Sequence, residues 1–158
     1  MPCCAILSFK SCGSVLINPD WRYLNAKVPK TQFVVGELDL DWASEEIVLV
    51  EGPTDLIKCS LLNATCLLGS TLPDSSVLFR KLVTFPERII LALDADARRK
   101  QDKIAKLLMS YDKEVFWVDP PEEGYDWGDL EPKEVFDKMQ NKHQYTSQSN
   151  LIRRIQDL

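Results

Sequence analysis

Four short apolar runs, each closed by an acid or a turn signal, constrain this chain more than any other feature. They are "IVLVEG", "ATCLLGS", "RIILALD" and "EVFWVDP". Each is too short for a buried helix and rich enough in apolar residues for a strand covered on both faces. Helical patterns lie between them. "TDLIKCSLL" follows the first run. "PDSSVLFRKLVTF" follows the second, with Pro73 and Asp74 as start signals and Val77, Leu78, Leu82 and Phe85 at helical spacing. "ARRKQDKIAKLLMSY" follows the third and sets Ile104, Leu107, Leu108 and Tyr111 on one side. "EPKEVFDKMQ" follows the last, and Pro132 suits its first turn. Strand–helix alternation of this kind predicts an α/β domain, an open parallel sheet of about four strands with helices on both faces. Its crossovers are expected to be right-handed.

The 158 residues suit a single domain with one core. No apolar run approaches the ~20 residues that would cross a bilayer. The opening "MPCCAILSFK" lacks a basic leader and a long apolar stretch, so neither a signal peptide nor a membrane is expected. Five cysteines, an odd number, form no CxxC pair, and the lone His143 is far from them. A zinc site is therefore not expected, and reduced thiols in a cytoplasm are. Net charge is -5, which disfavours broad non-specific binding to nucleic acid. The charge is uneven, however. Lys10, Arg22, Lys27 and Lys30 face only Asp20 before residue 36, and five acids then fall between Glu37 and Glu46.

Residues 1–45 do not share the alternation and read as a short appendage. "AILSFK" and "SVLINP" suggest a hairpin around Gly13, and "TQFVVGE" suggests another short strand. From about Gln140 the chain is polar, and a frayed or weakly helical tail is expected.

Ligands of open parallel sheets bind beyond the carboxyl ends of the strands. Glu51 closes the first strand, Asp94 and Asp96 the third, and Asp119 the fourth, with Asp126 and Asp129 following in "YDWGDL". Acids gathered at one edge repel one another unless a cation lies between them. A hard divalent ion with oxygen ligands, Mg²⁺ or Mn²⁺, is the natural resident. In extended backbone Asp94 and Asp96 would project to the same side and share one metal or bridge two. Taken alone, Asp55 reads as a first-turn helix acid, and a lone DxD as turn chemistry. Joint placement at successive strand ends favours the metal.

Glu51 with Gly52 and Asp55, then Asp94 and Asp96 after an apolar strand, resembles the TOPRIM domain. That Rossmann-like domain is shared by bacterial-type primases, type IA and type II topoisomerases and some nucleases. The resemblance covers residues 46–139. "NATCLLGSTL" resembles the primase segment around the second strand. "YDWGDL" resembles the later primase acidic motif, with its first acid at Asp126 and the next at Asp129 rather than at Gly128. "RYLNAKVPKTQFVVGELDL" is similar to the end of the basic subdomain that precedes TOPRIM in bacterial and phage primases. "LVEGPTDLIK" looks closest to tailed-phage proteins.

The resemblance implies a role for each residue. Glu51 would be the catalytic acid/base or a metal ligand. Asp94 and Asp96 would hold Mg²⁺, with Asp55 and Asp126 as outer members of the cluster. Lys27 and Lys30 would grip template or nucleotide. Gly69, which with Ser70 and Thr71 ends the second strand, and Arg98, Arg99 and Lys100 would meet phosphates, although a solvated helix face suits those cations too. Trp21, Trp42 and Trp127 offer stacking surfaces, whereas Trp117 reads as core. Residues 1–45 would be a remnant of the basic subdomain, 46–139 the TOPRIM domain and 140–158 a polar tail.

The implied activity is Mg²⁺-dependent synthesis of RNA primers on single-stranded DNA from NTPs. No zinc-ribbon cysteines and no Walker A motif are present, so a separate zinc-binding primase subunit and a replicative helicase are the expected partners. A small metal-dependent TOPRIM nuclease and a non-catalytic nucleic-acid or replisome-binding module are the competing readings. A topoisomerase is not expected, because 158 residues leave no room for a strand-passage gate.

Overall fold

The computed structural model describes residues 29–119, 126–146 and 149. The expected hairpin around Gly13, Trp21, the "YLN" element and Lys27 lie outside the described residues.

Five strands form one sheet in the order β2-β1-β3-β4-β5. β1 (Glu46–Val50) and β3 (Arg88–Ala92) lie at its centre, and each buries four consecutive residues. Alternating strands would expose every second residue. These do not, because helices cover both faces. β2 (Ala64–Cys66), β1, β3 and β4 (Glu114–Trp117) are mutually parallel neighbours. α2 (Val77–Thr84) and α3 (Arg98–Met109) pack on one face. Leu78, Phe79, Leu82, Ile104, Ala105 and Leu108 meet Ile47, Leu49, Ile89 and Leu91 there. α4 (Pro132–Met139) and the end of α1 (Pro53–Lys58) cover the other. Val135, Met139, Trp127 and Cys59 meet Val48, Val50, Ile90 and Ala92. Ile47, Leu49, Ile89 and Leu91 are fully buried, each burial stabilising by about 1.5–3 kcal/mol.

Several local expectations change. The fifth strand, β5 (His143–Gln144), runs antiparallel to β4 and lies in the segment expected to fray. Three side chains strap it down: Lys142 on Glu46 at 2.6 Å, His143 on Asp119 at 3.4 Å, and the Tyr145 hydroxyl donating to Asp102. Tyr145 also meets Trp117 edge-on and is buried. A polar sequence thus covers the edge of β4 through side-chain links that no hydrophobic period reports.

"TQFVVGE" forms no strand. A 3₁₀ turn occupies Lys30–Gln32, and Gly36, at φ 68°, turns the chain away. The Val35 carbonyl still accepts from the Thr65 hydroxyl at 2.7 Å, so the segment lies against β2 without extending the sheet. α2 begins at Val77 rather than near Asp74, because Ser76 is the cap and accepts from Phe79 N–H at 3.1 Å. β2 stops at Cys66, since Leu68 takes a left-handed conformation at φ 53°.

Candidate metal centre

Glu51 immediately follows β1, and Asp94 lies just beyond β3. Those strands are adjacent and in register, Val50 opposite Ala92. Parallel neighbours sit about 4.8 Å apart, so the two carboxylates emerge side by side. Asp96 arrives differently from the expectation of an extended DxD. The chain folds into a 3₁₀ turn over Ala95–Ala97, closed by Ala97 N–H on the Asp94 carbonyl at 3.0 Å. This turn, not the pleat, brings Asp96 back beside Asp94. One carboxylate oxygen from each of Glu51, Asp94 and Asp96 lies within 4.8 Å of the other two.

Asp55 and Asp126 form the next ring. Asp55 is buried in α1 and accepts from Gly52 N–H at 2.8 Å. Gly52 itself is extended, at φ −123°, so any residue would tolerate its backbone. Glycine matters there for space, since a Cβ would lie 3.3 Å from Asp55 Oδ2. Asp126 caps the 3₁₀ turn Trp127–Asp129, and Asp126 and Asp129 exchange backbone-to-carboxylate bonds of 3.1 Å each. Asp129 is therefore a capping partner. Gly128 lies between the two outer acids. A Cβ on it would fall 2.9 Å from Asp126 Oδ1 and 3.5 Å from Asp55 Oδ1. Asp119, the remaining strand-end acid, pairs with His143 and lies outside the trio.

The electrostatics follow from this crowding. Burial pushes Asp94 from 3.8 up to about 6, and the charges of Asp55, Glu51, Asp126 and Asp96 add to it. Glu51 is raised by burial and by Asp96, against the lowering effect of Lys100. Asp55 is raised by burial and by Asp126, while the N–H groups of Gly52 and Gly128 stabilise its charge. Glu51 Oε2 and Asp94 Oδ1 are buried without a hydrogen-bond partner. Buried acceptors are nearly always satisfied. Two orphaned carboxylate oxygens facing a third acid fit a hard cation and oppose a site that stays vacant of charge. The all-oxygen donor set suits Mg²⁺ or Mn²⁺ rather than a thiophilic ion.

Two cations flank the acids on the β2 side. Lys30 Nζ donates to the Leu68 carbonyl and lies 3.4 Å from the position of a Cβ on Gly69. Lys100 Nζ donates to Ser70 Oγ at 2.6 Å. Gly69 has φ 132°, a value that side chains rarely adopt, and its N–H bonds the Glu51 carbonyl at 3.1 Å. Lys30, Gly69 and Lys100 thus meet at one turn beside Glu51. Arg98 is half-buried at the start of α3, and Arg99 points into solvent. Nothing in the residue pattern pointed to Gly128 as a neighbour of both outer acids or to Ser70 as the acceptor for Lys100. Trp127 and Trp117 are buried core residues, so Trp127 is no stacking platform. Trp42 packs against Phe85 at 5.8 Å. Among the described residues no helix is long and apolar enough to cross a membrane.

No protein-family model and no curated protein matches the chain. Solved structures do. One is the primase of Aquifex aeolicus, its zinc-binding and RNA polymerase domains, at 22% identity and a TM-score of 0.54 over 69% of this chain. Another is the DnaG primase catalytic domain bound to single-stranded DNA, at 17% identity and a TM-score of 0.62 over 80% of this chain. The chain covers 30% of the former and 45% of the latter. The five-stranded, mostly parallel α/β fold is therefore one that primase catalytic domains share.

Proposed function

We propose that the chain is the catalytic core, or a catalytic subunit, of a DNA primase: a nucleotidyltransferase making RNA primers on single-stranded DNA. The observation that carries this reading is the Glu51–Asp94–Asp96 trio at the carboxyl edge of a primase-like sheet, with unsatisfied carboxylate oxygens in two of its members. The solved neighbours support it through the fold, and one of them is described as bound to single-stranded DNA.

In this reading Glu51, Asp94 and Asp96 hold Mg²⁺, and Mn²⁺ would replace it with the same ligands. When bound, the ion neutralises triphosphate charge and aligns in-line attack. The residues do the rest. Glu51, raised by burial, accepts the proton of the attacking 3′-hydroxyl. Asp55 and Asp126 shape the outer acidic ring and orient bound water. Lys30, Lys100 and the backbone at Gly69 receive phosphate oxygens, and Arg98 and Arg99 extend that surface. Lys27 and the rest of residues 1–45, read as a basic-subdomain remnant, grip the template. Residues 46–139 form the TOPRIM domain, and the polar segment 140–158 begins by adding β5 to the edge of its sheet. NTPs are the substrates, a zinc-binding subunit and a replicative helicase are the partners, and the site of action is the cytoplasm.

The same acids serve a metal-dependent nuclease if water replaces the 3′-hydroxyl. One assay separates the readings. Labelled NTPs and Mg²⁺ are supplied with primed and unprimed single-stranded DNA. Primase activity yields short RNA on the unprimed template. Cleaved template without RNA replaces primase with nuclease. Binding without either product leaves a non-catalytic module.

A further inference from the structure

We propose that the outer face of α3 is a track for the sugar-phosphate backbone of a single-stranded nucleic acid leading to the acidic centre. The proposal deepens the reading above and rests on it for the direction of the strand. α3 carries Arg98, Arg99, Lys100, Lys103 and Lys106 against one acid, Asp102, in a chain whose net charge is -5. That acid is engaged by the Tyr145 hydroxyl.

Helical spacing sorts these cations. Gln101, Ile104, Ala105 and Leu108 face the sheet and are buried. Arg99, Lys103 and Lys106, at i, i+4 and i+7, fall on the opposite side, and all three are exposed. Among the described residues the side chain of none of the three has a hydrogen-bond or ion-pair partner.

This arrangement opposes helix stability twice. Arg99 and Lys103 are like charges at i, i+4, and Lys103 and Lys106 at i, i+3. Arg99 also sits at the positive end of the helix dipole. A row of self-repelling cations on an acidic protein is neutralised by a polyanion laid along it. The row is straight and spans about 10 Å at 1.5 Å per residue. It begins three residues after Asp96, at the same sheet edge as the trio, and its neighbour Lys100 is anchored on Ser70 beside Glu51.

The test measures fluorescence anisotropy of a labelled oligothymidylate with the full chain in EDTA, across a salt series. EDTA removes any contribution from the metal centre. Arg99→Ala with Lys103→Ala and Lys106→Ala should weaken binding at least ~10-fold and lower the log–log salt slope by about 2, from three single-strand phosphates at roughly 0.7 each. A melting curve no lower than wild type shows the triple variant folded, because it removes repulsion and adds helix formers. Lys103→Arg with Lys106→Arg should keep affinity and slope, since phosphate contacts need only charge. Asp94→Asn with Asp96→Asn should also keep the slope. Equal affinity and slope in wild type and triple variant overturn the proposal. So does a wild type that ignores the oligonucleotide, or one that prefers polyglutamate. A slope change in a protein that makes no primers supports the track while removing the primase reading.

Discussion

Asp94 sets a conflict between stability and function that can be measured directly. In the metal-free protein, burial and four neighbouring acids raise its carboxyl from 3.8 to about 6. The unfolded chain releases that proton near pH 4, whereas the folded protein keeps it until about pH 6. Rising pH therefore favours the unfolded state across this window. The loss accumulates between about pH 4 and 6 and is complete above it, at most about 3 kcal/mol at 1.36 kcal/mol per tenfold change in proton affinity, less what solvent screening of the half-exposed carboxylate removes. Asp94→Asn removes the charge at nearly constant shape. In EDTA at pH 7.5 the variant should melt above wild type, by up to roughly 6–12 °C at about 2–4 °C per kcal/mol for a chain of this size. At pH 4, where the wild-type carboxyl is neutral in the fold, the gap should close. Millimolar Mg²⁺ should raise the wild-type melting temperature and leave the variant where it was. The assay is scanning calorimetry or circular dichroism across pH with and without metal. A variant that melts below wild type in EDTA at pH 7.5, with the same pH dependence, refutes the reasoning.

Three further outcomes follow from single contacts. Ser76→Ala should cost about 1 kcal/mol in denaturant melts, the usual loss for an N-cap, with little change in m-value, and activity should persist. Gly128→Ala should destabilise by about 1–3 kcal/mol and weaken Mg²⁺ binding in calorimetric titration, because its Cβ at 2.9 Å pushes Asp126 off its cap and towards Asp55. Glu51→Gln should keep the fold and much of the metal affinity yet cut primer synthesis by ~10²-fold or more in a gel assay, the scale for a lost general base. Unaltered synthesis by that variant means that Glu51 is not the base.

The parallel core was legible because β1 and β3 are buried on both faces, which writes near-continuous apolar runs into the sequence. Glu51, Asp94 and Asp96 were legible for the same reason, since each ends or follows such a run. What escaped was set by polar or conformational detail. β5 has two exposed residues and is held by Glu46, Asp119 and Asp102, which lie far from it along the chain. The start of α2 turned on which of several polar residues accepts the capping bond, and Ser76 rather than Asp74 does so. The 3₁₀ turn at Ala95–Ala97 changed how Asp96 reaches the site without changing that it does. Gly128 became visible only once the 3₁₀ turn at Trp127–Asp129 set it against α1, a contact between segments about seventy residues apart.

Mn²⁺ binding followed by electron paramagnetic resonance tests the metal centre most directly, since bound ion loses the sharp signal of free ion. Wild type should bind Mn²⁺ and release it when Mg²⁺ is added. Asp94→Asn with Asp96→Asn, folded by its melting curve, should leave the free-ion signal untouched. Equal signals from wild type and the double variant at every Mn²⁺ concentration would contradict the account.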